Sequence, residues 1–402
     1  MRQLTPEKHS IPVLMILTLF AMVGPVSIDI FTPSLPAITE FFGTNNVTAQ
    51  WSVGIFMLGF SVSMLIVGPL ADRFGRKNTL FAGYTLYLLA TLVILNTESI
   101  HVFVGARFAQ AVFGCFGTAV ARMVARDFYS DKMEVKMLAY ISGCLTIAPM
   151  VAPVAGGYIQ QYAGWQYSFV AMMVMGMMAM SMLFIIPERH TPNHNATQGV
   201  FSGYAAILTD VRYMRFAIAA GAAFSGAFVF VAGGAFVFIG QLNVAPTTYG
   251  YMFAVAIAGY LLSATMGPTV TKNMSRSQST MLAASLMLIG AIACLGSGIL
   301  TAGTSVLGYV IGIVIYEMGL GFFMPLCQAR STEHMTENMG TAAGLLFFVE
   351  MLMATLISAL VGLLPESGTL SLSAITLVAI GITTVCLLGV DRNQSKDTAQ
   401  IA

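Results

Sequence analysis

Four ionisable side chains lie inside long apolar runs: Asp29, Arg107, Glu317 and Glu350. Even lenient insertion scales put an ionised group at mid-span at about 2.5–3.5 kcal/mol, so each must face protein or a wet cavity. A carboxylate that meets first one aqueous side and then the other can take up a proton on the first and release it on the second. That is the chemistry of a proton-coupled carrier. Asp29 lies a few residues short of the outer end of its run, and Arg107 a similar distance inside the outer start of its own. They share a depth and have opposite signs, so they can pair directly or through water. A fixed ion pair that merely joins two helices fits the same pattern. Glu317 and Glu350 lie near the bilayer midplane, where a neutral acid bonded to a backbone carbonyl also satisfies the physics. All four are candidates for proton coupling or for lining a substrate cavity.

The elements that position them are twelve apolar runs, at about 12–34, 48–70, 79–97, 101–123, 136–160, 165–187, 213–240, 248–268, 279–301, 305–327, 339–364 and 369–390. Each is near the ~20 residues a membrane-spanning helix needs. The 402-residue chain is 57% hydrophobic and 9% charged, far from the about 25% charge of a soluble domain. Of its 18 Lys and Arg residues, all but Arg107 lie at the start of the chain or around alternate gaps, and the intervening gaps have none. The basic side is cytoplasmic, which places both termini there. A β-barrel is excluded because its segments are about 10 residues long with alternating polarity.

No basic cluster remains to bind nucleic acid once topology has used these residues. The five cysteines fall in or at the ends of spans without metal or disulfide spacing, and the five histidines, including His190 and His194, lack ligand spacing. No glycine loop of the kind that binds ATP is present, and no gap is long enough for a catalytic domain, so an enzyme is not expected. The first run lacks a cleavage site and carries Pro25 and Asp29, so it reads as a retained span.

The longest cytoplasmic gap divides the chain into a six-helix bundle over 1–187, a linker over 188–212 and a second six-helix bundle with a short tail over 213–402. A degenerate repeat supports this division. The run GPLADRFGRK over 68–77 finds an echo in GPTVTKNMSR over 267–276, with Arg73 matched by Lys272 and Lys77 by Arg276. Paired halves are an architecture of secondary transporters. The fifth run carries Pro149, Pro153, Gly156 and Gly157; the prolines remove backbone donors and can bend the helix, while the glycines permit close packing.

These motifs resemble the major facilitator superfamily, within it the twelve-span drug:proton antiporters, and particularly the bacterial Bcr/CflA branch of multidrug exporters. The resemblance implies an all-α polytopic fold with two six-helix bundles around a central cavity. Gly68, Asp72, Arg73, Gly75, Arg76 and Lys77 match the loop signature that gates the cytoplasmic side, with Arg126 as the expected partner of Asp72. The stretch RFAQAVFG from Arg107 resembles the span-four motif whose arginine serves proton coupling. APMVAPVAGG over 148–157 resembles the span-five antiporter motif, and DIFTPSLPA from Asp29 resembles the branch's acidic, proline-rich signature. Glu317 and Glu350 belong to no such motif and suggest a cationic or otherwise specialised cargo.

The implied function is proton-driven export of small amphipathic molecules, such as phenicols, siderophores or metabolites, across the bacterial inner membrane. It would use no cofactor beyond the proton gradient, have lipids and small molecules as partners, and work as a monomer. A symporter importing a metabolite or siderophore, and a non-transporting scaffold or receptor, are the alternatives.

Overall fold

The computed structural model describes residues 10–129, 131–186, 204, 207–333, 339–363 and 368–401. Among them no strand forms. The helices are α1 (Ser10–Asp29), α2 (Leu35–Phe41), α3 (Asn46–Phe74), α4 (Arg76–Asn96), α5 (Ile100–Gly114), α6 (Phe116–Phe128), α7 (Asp131–Tyr162) and α8 (Trp165–Met182), followed by α9 (Val211–Ala235), α10 (Pro246–Val270), α11 (Arg276–Leu300), α12 (Val306–Thr332), α13 (Met339–Leu363) and α14 (Thr369–Ile401). Among the described residues eleven helical stretches are long and apolar enough to cross a membrane. The sixth expected span is occupied by α8, whose 18 residues mix methionine with Gln166, Ser168, Gly176 and Ser181.

The first span differs from its apolar reading as one continuous run. Helix α1 passes through Pro25 without interruption and ends at Asp29; a short 3-10 turn, Thr32–Ser34, then leads into α2. Pro33 and Pro36 explain the break. Each lacks a backbone N–H, so neither can donate the hydrogen bond that would carry α1 on into α2. Irregular backbone at this depth is tolerated only where protein or water surrounds it, and Ile30 to Leu35 are all buried. The fourth span is likewise two helices, α5 and α6, separated at Cys115.

Side chains fix several helix starts. Asn45 accepts from the Thr48 backbone N–H at 2.8 Å, and Ser275 with Gln278 forms a reciprocal capping box at α11. Gly75 joins α3 to α4 with φ 89°, a conformation that makes glycine the residue of choice in the loop signature.

The chain forms two compact units. One comprises residues 1–200 with 245–254, and the other 201–244 with 255–402. In the first, α1 packs on α6 and α7, α3 on α5, and α4 on α5 and α8. In the second, α11 runs against α12, and α9 packs on α13, α14 and α12. Most of the expected linker 188–212, with His190 and His194, lies outside the described residues.

Candidate functional site

The most buried cation lies in the first unit. Arg107, on α5, is 0% exposed. Its Nη1 donates to Gln110 Oε1 on the same helix face, and its Nη2 donates to the Ser27 carbonyl at 3.2 Å. The guanidinium lies 4.0 Å from the Phe31 ring centre, 4.2 Å from Phe56 and 5.6 Å from Phe169. Desolvating a charge costs several kcal/mol, and cation–π contacts worth about 2 kcal/mol each when desolvated offset much of it. Around this centre Gln110 Nε2 donates to Thr91 Oγ1 at 2.7 Å, and the Ser27 and Tyr87 hydroxyls meet at 2.8 Å. Arg107 and Gln110 on α5 therefore tie α1, the turn after it, α3, α4 and α8 together.

The expected pairing of Asp29 with Arg107 does not form. Because α1 ends at Asp29 and the chain turns, it is Phe31 that comes over the guanidinium and the Ser27 carbonyl that takes its N–H. Asp29 is 5% exposed, and among the described residues its carboxylate has no ion pair. Thr32 Oγ1 donates to its backbone carbonyl at 2.8 Å, which pins the break. The fully buried Tyr249, on α10, lies within electrostatic reach of the carboxylate.

The fifth-span motif packs directly on this break. Pro149 and Pro153 are accommodated inside the unbroken α7, and one turn further on Gly156 lies so close to the Ile30 carbonyl that a methyl group there would overlap it. Gly157 faces the Pro246 carbonyl in the same way, and a methyl at Gly250 would stand 2.6 Å from the Pro153 carbonyl. The motif thus lets backbone meet backbone beside Asp29. Small residues serve this purpose in membrane helices, where packing replaces the hydrophobic drive.

In the second unit Glu317 lies on α12 and Glu350 on α13, 6% and 2% exposed. Both are within electrostatic reach of Tyr260, on α10. The structure thus gives Asp29 and Arg107 the α1 break in common, and gives Glu317 and Glu350 one common neighbour.

The loop signature forms a different clamp from the one expected. Arg76 reaches Asp72 at 2.5 Å and Asp127 at 3.1 Å, so it bridges the α3–α4 turn to α6. Arg126 does not partner Asp72; its side chain is 63% exposed and pairs with Glu134 at 3.6 Å. Successive residues on α6 point about 100° apart, and the register puts Asp127 toward the loop signature and Arg126 away from it. Gly68 faces Met123 in ordinary contact, Arg73 lies over Phe74, and Lys77 lies 5.8 Å from the Phe184 ring. The second unit carries a counterpart in which Arg276 and Arg212 both pair with Glu333.

This clamp predicts that Arg76→Ala lowers transport turnover by about tenfold while substrate binding persists, whereas Arg126→Ala stays within about twofold of the parent. Side-by-side flux and equilibrium binding measurements check it. Equal effects of the two substitutions would contradict the assignment.

Eleven apolar helices long enough to cross a membrane among the described residues, ionisable groups buried inside their bundle and a charge clamp at the loop signature are the build of a multi-pass membrane transporter. The Major Facilitator Superfamily model matches residues 17–358, and the chain belongs to that family. It is 23% identical to the bicyclomycin resistance protein homolog of Haemophilus influenzae, over 88% of this chain and 90% of that one. It is 22% identical to multidrug resistance protein D of Escherichia coli, over 91% and 92% of the two chains. The xylose transporter XylE of E. coli shares the fold, with a TM-score of 0.71 at 12% identity over 94% of this chain and 95% of that one.

Sequence reading missed the aromatic faces around Arg107 and the tyrosines beside the acids. Gln110, one helical turn after Arg107, was a visible signal. Tyr249 and Tyr260 carried none, since tyrosine is ordinary in a span.

Proposed function

We propose that this protein exports small amphipathic molecules from the bacterial cytoplasm in exchange for protons, by alternating access and without a cofactor. Asp29 is the proton carrier in this reading, both termini are cytoplasmic, and the monomer is the working unit. The observation that carries it is a buried carboxylate without an ion pair among the described residues, seated at a break in the first span against which Gly156 of α7 packs. An ionisable side chain buried within a span is costly to keep and marks a functional site by default. The break brings irregular, buried backbone beside it. The drug-resistance names of the two relatives favour an antibiotic-like cargo such as a phenicol, with siderophores and metabolites as the neighbouring chemistry.

Expression in a bacterium stripped of its own exporters tests the proposal. Chloramphenicol accumulation should fall in energised cells and return when a protonophore collapses the gradient. Accumulation that rises with expression would assign import instead, and accumulation that ignores the protonophore would remove proton coupling.

A further inference from the structure

Five fully buried polar residues on α1, α4 and α5 of the first unit close into a ring of hydrogen bonds. Arg107 Nη1 donates to Gln110 Oε1, and Gln110 Nε2 donates to Thr91 Oγ1 at 2.7 Å. Thr91 Oγ1 donates in turn to the Tyr87 carbonyl at 2.8 Å. From the other side Arg107 Nη2 donates to the Ser27 carbonyl at 3.2 Å, and the Ser27 and Tyr87 hydroxyls meet at 2.8 Å. Both arms of the guanidinium therefore end on Tyr87, one on its backbone and the other on its phenol.

Tyr87 has little room to move. A methyl at Gly114 of α5 would stand 2.6 Å from its ring and one at Gly176 of α8 2.7 Å, so the ring fills a slot between two glycines. Its hydroxyl also donates toward the Met172 carbonyl of α8 at 3.3 Å. The Gln110 amide is engaged at both its oxygen and its nitrogen, so turning it over would break both bonds.

The place where Arg107 lands gives the ring its consequence. Helix α1 ends at Asp29, so the Ser27 carbonyl is one of the last four, which have no N–H of the helix to accept. Arg107 supplies that N–H and brings a positive charge to the negative end of the helix. Ser27 and Asp29 share this last turn. We infer that Tyr87 is a positioning residue for transport: it closes the ring that aims Arg107 at the end of α1, and so fixes where the Asp29 carboxylate stands. Bonds in a closed, buried network support one another, and a ring opened at one point loses its hold as a whole. The effect on transport rests on the reading of Asp29 as proton carrier; the cooperativity of the ring does not.

Ser27→Ala, Tyr87→Phe and Thr91→Val each open the ring at a different point, and Tyr87→Phe keeps the same ring in its slot. In inverted vesicles given chloramphenicol, each should lower uphill accumulation about tenfold more than downhill equilibration. Any two combined should be no worse than the more affected single, whereas independent supports of the fold would add. Thr91→Ser keeps the hydroxyl and should stay within about twofold of the parent. Uphill and downhill rates falling in step, an unchanged ratio in all three variants, or additive losses in the doubles would overturn the assignment. If Tyr87→Phe does not yield monodisperse protein, Ser27→Ala and Thr91→Val decide by the same criteria. Thermal unfolding of the purified singles and doubles needs no cargo, and each double should melt with the less stable of its singles. Additive melting shifts with coupled transport intact remove the ring alone. Non-additive shifts in a parent without coupled transport remove the transport reading, and with it the role of Tyr87 in transport, and leave the ring standing.

Discussion

Asp29→Asn yields a folded, membrane-inserted protein that no longer moves substrate uphill. The carboxylate makes no ion pair among the described residues, so amide replacement breaks no charge pair and strands no partner. The helix break beside it is held by Thr32 and the backbone, which the substitution leaves alone. What is lost is the group that takes up and gives back a proton. Downhill equilibration of substrate should therefore persist while accumulation against a gradient falls to background, a loss of about 100-fold or more, as expected when a proton-transfer group is removed. Chloramphenicol uptake into inverted vesicles, with and without an imposed proton gradient, separates the two. Full uphill transport by Asp29→Asn at every pH would assign the proton to another group.

The second large effect comes from one methyl group. Gly156→Ala places a carbon onto the Ile30 carbonyl, and the atom it meets is backbone that cannot swing aside as a side chain does. Overpacking of this kind costs about 1–3 kcal/mol, enough to displace α7 from the break by shifting the backbone. Transport should fall by about tenfold or more, with the protein still inserted. Gly143→Ala on the same helix is the control, since a methyl there meets nothing within 4 Å, and it should transport within about twofold of the parent. Equal activity of the two variants would mean that close packing of α7 on the first span is not required for the cycle.

The helices were largely legible because hydrophobic length and basic-residue sidedness are strong signals that act along the chain. The break in the first span was partly legible: Pro33 stands inside the apolar run over 12–34 and Pro36 just beyond it, but hydropathy does not register backbone geometry. The error over Arg107 was of another kind. Equal depth and opposite sign make pairing possible, but three aromatic rings and two oxygens surround the guanidinium instead, and those rings come from the turn after α1, from α3 and from α8 across distances no motif encodes. The choice between Arg126 and Asp127 turned on the rotation of one helix by a single residue, which a family resemblance cannot resolve. Burial of Glu317 and Glu350 followed from their mid-span positions, while their shared neighbour Tyr260 required the packing of three helices.

The most direct test uses purified protein in liposomes loaded with a pH-sensitive dye. Phenicols, lipophilic amines, fluoroquinolones and hydroxycarboxylate siderophores are added in turn, and cargo movement is followed alongside internal pH. The account predicts that at least one cargo and protons cross in opposite directions, and that Asp29→Asn abolishes this counterflow. Cargo and protons moving in the same direction, or counterflow undiminished in Asp29→Asn, would contradict it.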